Sequence, residues 1–392
     1  MCNRNIRTGT RIISRLETDL LGVRIDQIPR LLPGLILAVL LAWLSIWLSR
    51  FVGEEVMRFD KTPISSVMVA ILLGLLIGNL VRLPGWLNPG LNFSVKKVLR
   101  LGIILLGIRL SLFAVFALGL LGIPIVALCI LGALLLTSRI NASLSLPRRL
   151  GVLIAVGTAI CGVSAIVATA PVVDADDEEV AYAIAVITVF GMIATLFYPY
   201  LANWMFEGDA VKAGLFLGTS IHDTSQVTGA ALVYSDVFSQ PRALDVATVT
   251  KLVRNIFMVA VIPLMAFSYA KRNAADAPAG NKDIRLGSLI PLFVFGFLIM
   301  AAVRTVGDAG IEAGGKAFGI WDSVMWGTLI NRIRTSAITL LVVALAAVGL
   351  TTRFRSLQVL GSKPFFVGLG AALSVGAISF IAITLLGGFI KI

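Results

Sequence analysis

The chain reads as an all-α integral membrane protein of about eleven transmembrane helices (range about 10–12). Three observations predict this. Of 392 residues, 58% are hydrophobic and only 14% charged, whereas a soluble domain carries charge on about a quarter of its residues. Mean hydropathy is +0.96. The apolar runs approach the roughly 20 residues a helix needs to cross a bilayer. They lack the alternating segments of about 10 residues that mark a membrane β-barrel.

Residues 1–30 are rich in arginine (Arg4, Arg7, Arg11, Arg15, Arg24, Arg30) but include Glu17, Asp19 and Asp26. They lack the apolar core and small-residue cleavage site of a secretory signal. They read as a cytosolic segment, either lying on the membrane surface or simply solvated. Residues 31–392 form the membrane domain. Its spans fall between basic residues, at 31–49, 64–81, 95–108, 122–138, 150–171, 180–202, 211–234, 244–269, 286–303, 335–350 and 364–388. The third is short and ends at Arg109. The stretch 309–334, with Gly314, Gly315, Trp321 and Trp326, suits a surface helix or a re-entrant piece.

With the N-terminus inside, the cytosolic segments hold 21 Lys and Arg against 10 on the opposite side, and two more lie within a span. That asymmetry fits the positive-inside rule for a bacterial inner-membrane protein. It places the acidic run Asp174, Asp176, Asp177, Glu178, Glu179 outside. A ten-span version with one re-entrant segment is the alternative. The net charge of +12 therefore belongs to topology and anionic lipid rather than nucleic acid. Cys2, Cys129 and Cys161 form neither a metal spacing nor a disulfide framework. With a single histidine, no metal site and no cofactor are expected.

Three polar constellations interrupt the apolar spans. The first is Gly157 to Pro171, GTAICGVSAIVATAP, where Gly162 permits a helix break and Ser164 is a small polar group. Such a break can aim free N–H groups at an anion, or it can pack helices closely. Next comes Gly218 to Gln226, GTSIHDTSQ, which carries the sole histidine, His222, beside Asp223. Polar groups at membrane depth are functional candidates, and histidine titrates near neutral pH. His222 and Gln226 share a helical face, and the alternative role is an interhelical hydrogen bond. The third is Lys251 and Arg254, three apart within the span 244–269. A mid-span cation costs roughly 2.5–3.5 kcal/mol on insertion scales, so partners are expected. Asp223 is the obvious one, and Asp245 lies nearer the membrane edge. Snorkelling to the interface is the alternative. Arg109 suits an interfacial arginine, and Cys161 suits a small packing residue.

The segments 157–165 and 218–226 align as GTAICGVSA and GTSIHDTSQ, with Gly, Thr, Ile and Ser in register. Paired interrupted segments mark transporter binding sites. One span separates them, however, so simple crossings would run parallel. Either a segment is re-entrant or the match is chance.

Together GTAICGVSAIVATAP (157–171), FGMIATLFYP (190–199), GTSIHDTSQVTGAA (218–231) and KLVRN (251–255) resemble the YeiH-type family, known as sulfate exporters, over nearly all of 31–392. That family is similar to the bile-acid/sodium symporter and cation–proton antiporter superfamily. The resemblance implies an inverted-repeat transporter with a panel and a core, helices broken near the midplane, and a homodimer. It implies export of a sulfate, sulfite or organosulfonate by alternating access. Gly162, Ser164, His222, Asp223, Gln226, Lys251 and Arg254 would line the site, with His222 or Asp223 carrying the coupling proton. No GxxxxGK[ST] motif occurs, so ATP does not drive transport from this chain. The rivals are sodium- or proton-coupled uptake of a small carboxylate, an anion channel, and an enzyme using Cys161 with His222. Enzymatic activity is not expected.

Overall fold

The computed structural model describes residues 28–56, 64–272, 291–353 and 362–386. Most of the segment 1–30 lies outside them. The fold is all-helical, apart from a two-stranded hairpin. In order come α1 (Ile28–Arg50), α2 (Ser66–Leu80), α3 (Gly85–Arg109, with a π turn at Ser94–Val98), α4 (Leu112–Ser143), α5 (Arg148–Ala159), α6 (Val163–Thr169), α7 (Asp177–Met205), α8 (Ala210–Ser220), α9 (Thr224–Val237), α10 (Pro241–Ile256), α11 (Met258–Arg272), α12 (Leu292–Gly314), β1 (Lys316–Ala317), β2 (Trp321–Asp322), α13 (Ser323–Thr351) and α14 (Ser362–Leu386). The stretch 309–334 is thus a helix end, a β-hairpin and the start of a long helix.

Within the described residues every expected span falls on helix, but two do not cross. Gly157 of α5 packs against Ile166 of α6 and Ile187 of α7. Arg149, at the start of α5, donates to the Tyr269 hydroxyl at 3.4 Å and lies within reach of the charges of Glu179 and Asp176 at the start of α7. These two points make α5 and α7 parallel and fold α6 back along α5. Residues 148–169 therefore enter and leave on one face. The second case mirrors the first. Gly214 and Gly218 of α8 pack on Ala243, Val246, Ala247 and Thr250 of α10, so α8 and α10 run parallel. The link from Val237 to Pro241 is short, and the Tyr234 hydroxyl donates to Asn203 Oδ1 at 3.3 Å near the end of α7. Residues 210–237 are a second re-entrant hairpin, entering from the opposite face.

This arrangement removes the parity problem. GTAICGVSA and GTSIHDTSQ are the tips of two hairpins that enter from opposite faces, as an inverted repeat requires. It also corrects two loops: the acidic run 174–179 lies on the face where α1 begins, and 203–212 lies on the other. Lys212 is the one basic residue to change sides. Among the described residues seven helices are long and apolar enough to cross unaided, and the bent pair Gly85–Arg109 plus Leu112–Leu120, turned by 103°, makes an eighth. The shorter α2 runs parallel to the second half of α13, with Gly74 and Gly78 against Ala346 to Leu350, and completes nine crossings.

The helices sort into two bundles. The panel is α1, α2, α3, α12 and α13. The core is α4 through α11 with α14. Hydrophobic side chains outside the bundles stay exposed, Trp43, Phe113, Trp204 and Leu292 among them, as lipid-facing positions should.

Candidate functional site

Both hairpins reverse at membrane depth, and reversal frees backbone groups that lipid cannot satisfy. Gly162 takes a φ of +68° to end the first tip. That conformation is open to glycine with little strain. A side chain there would meet Asp223 Oδ2 at 3.2 Å, so the two tips touch at this point. Asp223 caps α9: its carboxylate accepts from Ser225 N at 2.8 Å and Ser225 Oγ at 2.6 Å. Gln226 completes the capping box by accepting from Asp223 N at 3.2 Å and donating to the Thr188 carbonyl at 2.9 Å. Gly191 leaves room for it, since a Cβ there would lie 1.9 Å from Gln226 Oε1.

The freed carbonyls of the entering legs go to α10. Lys251 Nζ donates to Ile160 O at 2.8 Å, to Ile221 O at 3.2 Å and to His222 O. Arg254 donates to Ala159 O at 2.7 Å, to Thr219 O and Ile221 O at 2.8 Å each, and to Thr158 O. Both cations are 1% exposed. They sit at the carbonyl ends of α5 and α8, where the helix dipole favours positive charge. Sequence reasoning expected Asp223 as their partner; among the described residues the close partners are carbonyls instead. Asp245 pairs with Arg109 at 2.6 Å. His222 is 1% exposed, and its Nδ1 has no hydrogen-bond partner among the described residues. Cys161 is buried, with Sγ 3.7 Å from Met258 Sδ, and fills space.

On the opposite side of the tips, a cavity of about 550 Å³ opens along the seam between panel and core. The core contributes Ser164 and Val167 of α6, Thr188 of α7, and Asp223 to Gln226 at the start of α9. The panel contributes Lys96, Arg100 and Ile103 of α3, Phe293 of α12, and Thr351 and Thr352. Phe293 and Thr352 lie at the face where α1 begins, so the cavity opens there. On the far face the seam is held shut. Arg109 binds Asp245 and the Pro241 carbonyl, the latter at 3.0 Å, and Ser65 donates to Asp236 Oδ2 at 2.8 Å.

Of the expected site residues, Ser164, Asp223 and Gln226 line this cavity, and Gly162 adjoins it through Asp223. His222, Lys251 and Arg254 lie behind the tips. The sequence reading missed Lys96 and Arg100, counting them as loop charges. Their spacing of four on one helical face was the available signal.

The chain matches the family described as Conserved hypothetical protein 698 over residues 33–368. It is 30% identical over 321 residues to UPF0324 membrane protein FN0533 of Fusobacterium nucleatum, covering 81% of this chain and 88% of that protein. It is 32% identical to a UPF0324 membrane protein of Bacillus anthracis, over 82% of this chain and 87% of the relative. A Streptococcus pneumoniae UPF0324 membrane protein is 32% identical, over 82% and 88% respectively.

Proposed function

The chain belongs to the Conserved hypothetical protein 698 family of UPF0324 multi-pass membrane proteins, and from that premise we propose that it is a secondary transporter for a small anion. It exports a sulfate, sulfite or organosulfonate across the bacterial inner membrane by alternating access, as the YeiH-type resemblance implies. The observation that carries this reading is the cavity at the hairpin tips. It is bounded by the amino end of α9, by Ser164, and by the cations Lys96 and Arg100. Helix amino ends and cations both favour a bound anion. The bias of basic residues favours the α1-start face as the cytosolic one; on that reading the cavity opens to the cytosol and the Arg109–Asp245 pair closes the outside.

Asp223 is the better proton carrier of the two candidates. It lines the cavity, whereas His222 is enclosed behind it. Lys96, Arg100 and an ionised Asp223 sum to +1; protonating Asp223 raises this to +2. A dianion and one proton would then bind together. A homodimer, as the superfamily resemblance implies, is part of the same reading.

The test is thermal stabilisation of the purified protein by sulfate, sulfite, thiosulfate, taurine, sulfoacetate and simple carboxylates. A ligand that binds only the folded state raises the melting temperature. A shift with a sulfur oxyanion or sulfonate, followed by saturable counterflow in proteoliposomes, supports the reading. A shift with carboxylates alone moves it to coupled uptake, and non-saturating flux moves it to a channel.

A further inference from the structure

Lys96 and Arg100 are cations on the panel, not on the core. They lie four residues apart on α3, exposed to the cavity. Arg100 lies over the Phe293 ring, 6.0 Å from its centre. Among the described residues neither is in an ion pair. Both sit well inside a helix that runs through the membrane, where an unpaired cation is costly unless it meets water or an anion. Across the cavity stand Asp223, Ser225 and Gln226, all on the core.

Lys251 and Arg254 hold both hairpin tips to α10, so the tips travel together. Any movement that opens the far face must shift the core past the panel. Asp223 to Gln226 go with the core; Lys96 and Arg100 stay behind.

We propose that Lys96 and Arg100 form a one-sided capture site for an oxyanion, joined to the core part of the site only while the cavity opens to the cytosol. The inference rests on the anion-transport reading and adds a direction to it. The anion meets two cations on the cytosolic side and loses them as the core moves. Affinity is therefore higher for loading from the cytosol than from outside, which biases the carrier to load where an exporter must.

The experiment compares inside-out and right-side-out membrane vesicles carrying the wild type, Lys96→Met, Arg100→Met or Arg100→Lys. Uptake of radiolabelled sulfate and sulfite is measured in each. Inside-out vesicles report loading at the cytosolic face. The expected result is a cytosolic-face KM raised about tenfold or more in each Met variant, an outer-face KM within twofold of wild type, and partial rescue by Arg100→Lys. Equal KM changes at both faces would overturn the proposal, because the cations would then accompany the anion throughout. Unchanged KM at both faces would overturn it too. If the wild type moves neither anion from either face, the oxyanion reading itself fails. Size-exclusion profile and melting temperature check that each variant is folded.

Discussion

Replacing Lys251 with Met isolates what holds the two hairpin tips in place. The ammonium is engaged by three carbonyls, of Ile160, Ile221 and His222. Hydrogen bonds from a charged donor contribute about 1.5–3 kcal/mol each, so the gross loss is about 5–9 kcal/mol. Removing the charge also relieves a desolvation penalty of several kcal/mol. The net expectation is a destabilisation of about 3–5 kcal/mol, the range seen when one partner of a buried charged interaction is removed. Methionine fills the volume well, so packing contributes little. Unfolding in mixed detergent micelles, with melting curves as a second readout, measures the difference. Lys363→Met at an exposed position is the control, expected within about 0.5 kcal/mol of wild type. If Lys251→Met unfolds like that control while losing every anion-induced shift, the lysine is a ligand and the carbonyl account is wrong.

Two further outcomes follow from the geometry. Gly191→Ala would place a methyl 1.9 Å from Gln226 Oε1. It should dislodge the capping box of α9, lower the melting temperature and reduce transport severalfold; an active, wild-type-stable variant would show that Gln226 is not held as described. A cysteine at Glu178, in a background without native cysteines, should react with a membrane-impermeant thiol reagent only from the face where α1 begins. Labelling from the other face would mean that residues 148–169 cross the membrane after all.

The sequence revealed the break at Gly162 but not the folding back. Residues 150–171 and 211–234 each have the length and apolarity of a crossing, and hydropathy carries no sign of reversal at the tip. The clue was a contradiction. Two matching motifs sat one span apart and so could not be inverted unless at least one segment turned back. Gly162 was legible as a break point because glycine tolerates a non-helical backbone, whereas the break at 221–223 was not: His222 and Gln226 were read on one helical face, but α8 ends at Ser220 and α9 starts at Thr224. The partners of Lys251 and Arg254 were not legible either. Sequence shows charged side chains, so it nominated Asp223; the acceptors turned out to be main-chain carbonyls, which every sequence contains. Lys96 and Arg100 were hidden for a related reason. Both lay inside the expected span 95–108 but were counted with the overlapping loop 82–100, because the helix was not seen to start as early as Gly85. The all-helical fold and the membrane setting were legible because they depend on composition and apolar run length rather than on contacts; helices broken near the midplane were expected from the family resemblance.

If the proposed transport function holds, the links across the far face, Arg109 with Asp245 and Ser65 with Asp236, bear on the resting balance of the empty molecule. The side chains of Arg109 and Asp245 are only 8% and 16% exposed. Parting them would leave each to be rehydrated separately, and a mostly buried pair is harder to undo than one on an open surface. An empty molecule would thus spend most of its time latched on that side, waiting with its mouth to the other. The strength of these two links would then act as a dial on how often an unloaded carrier resets, independent of how tightly it grips its cargo.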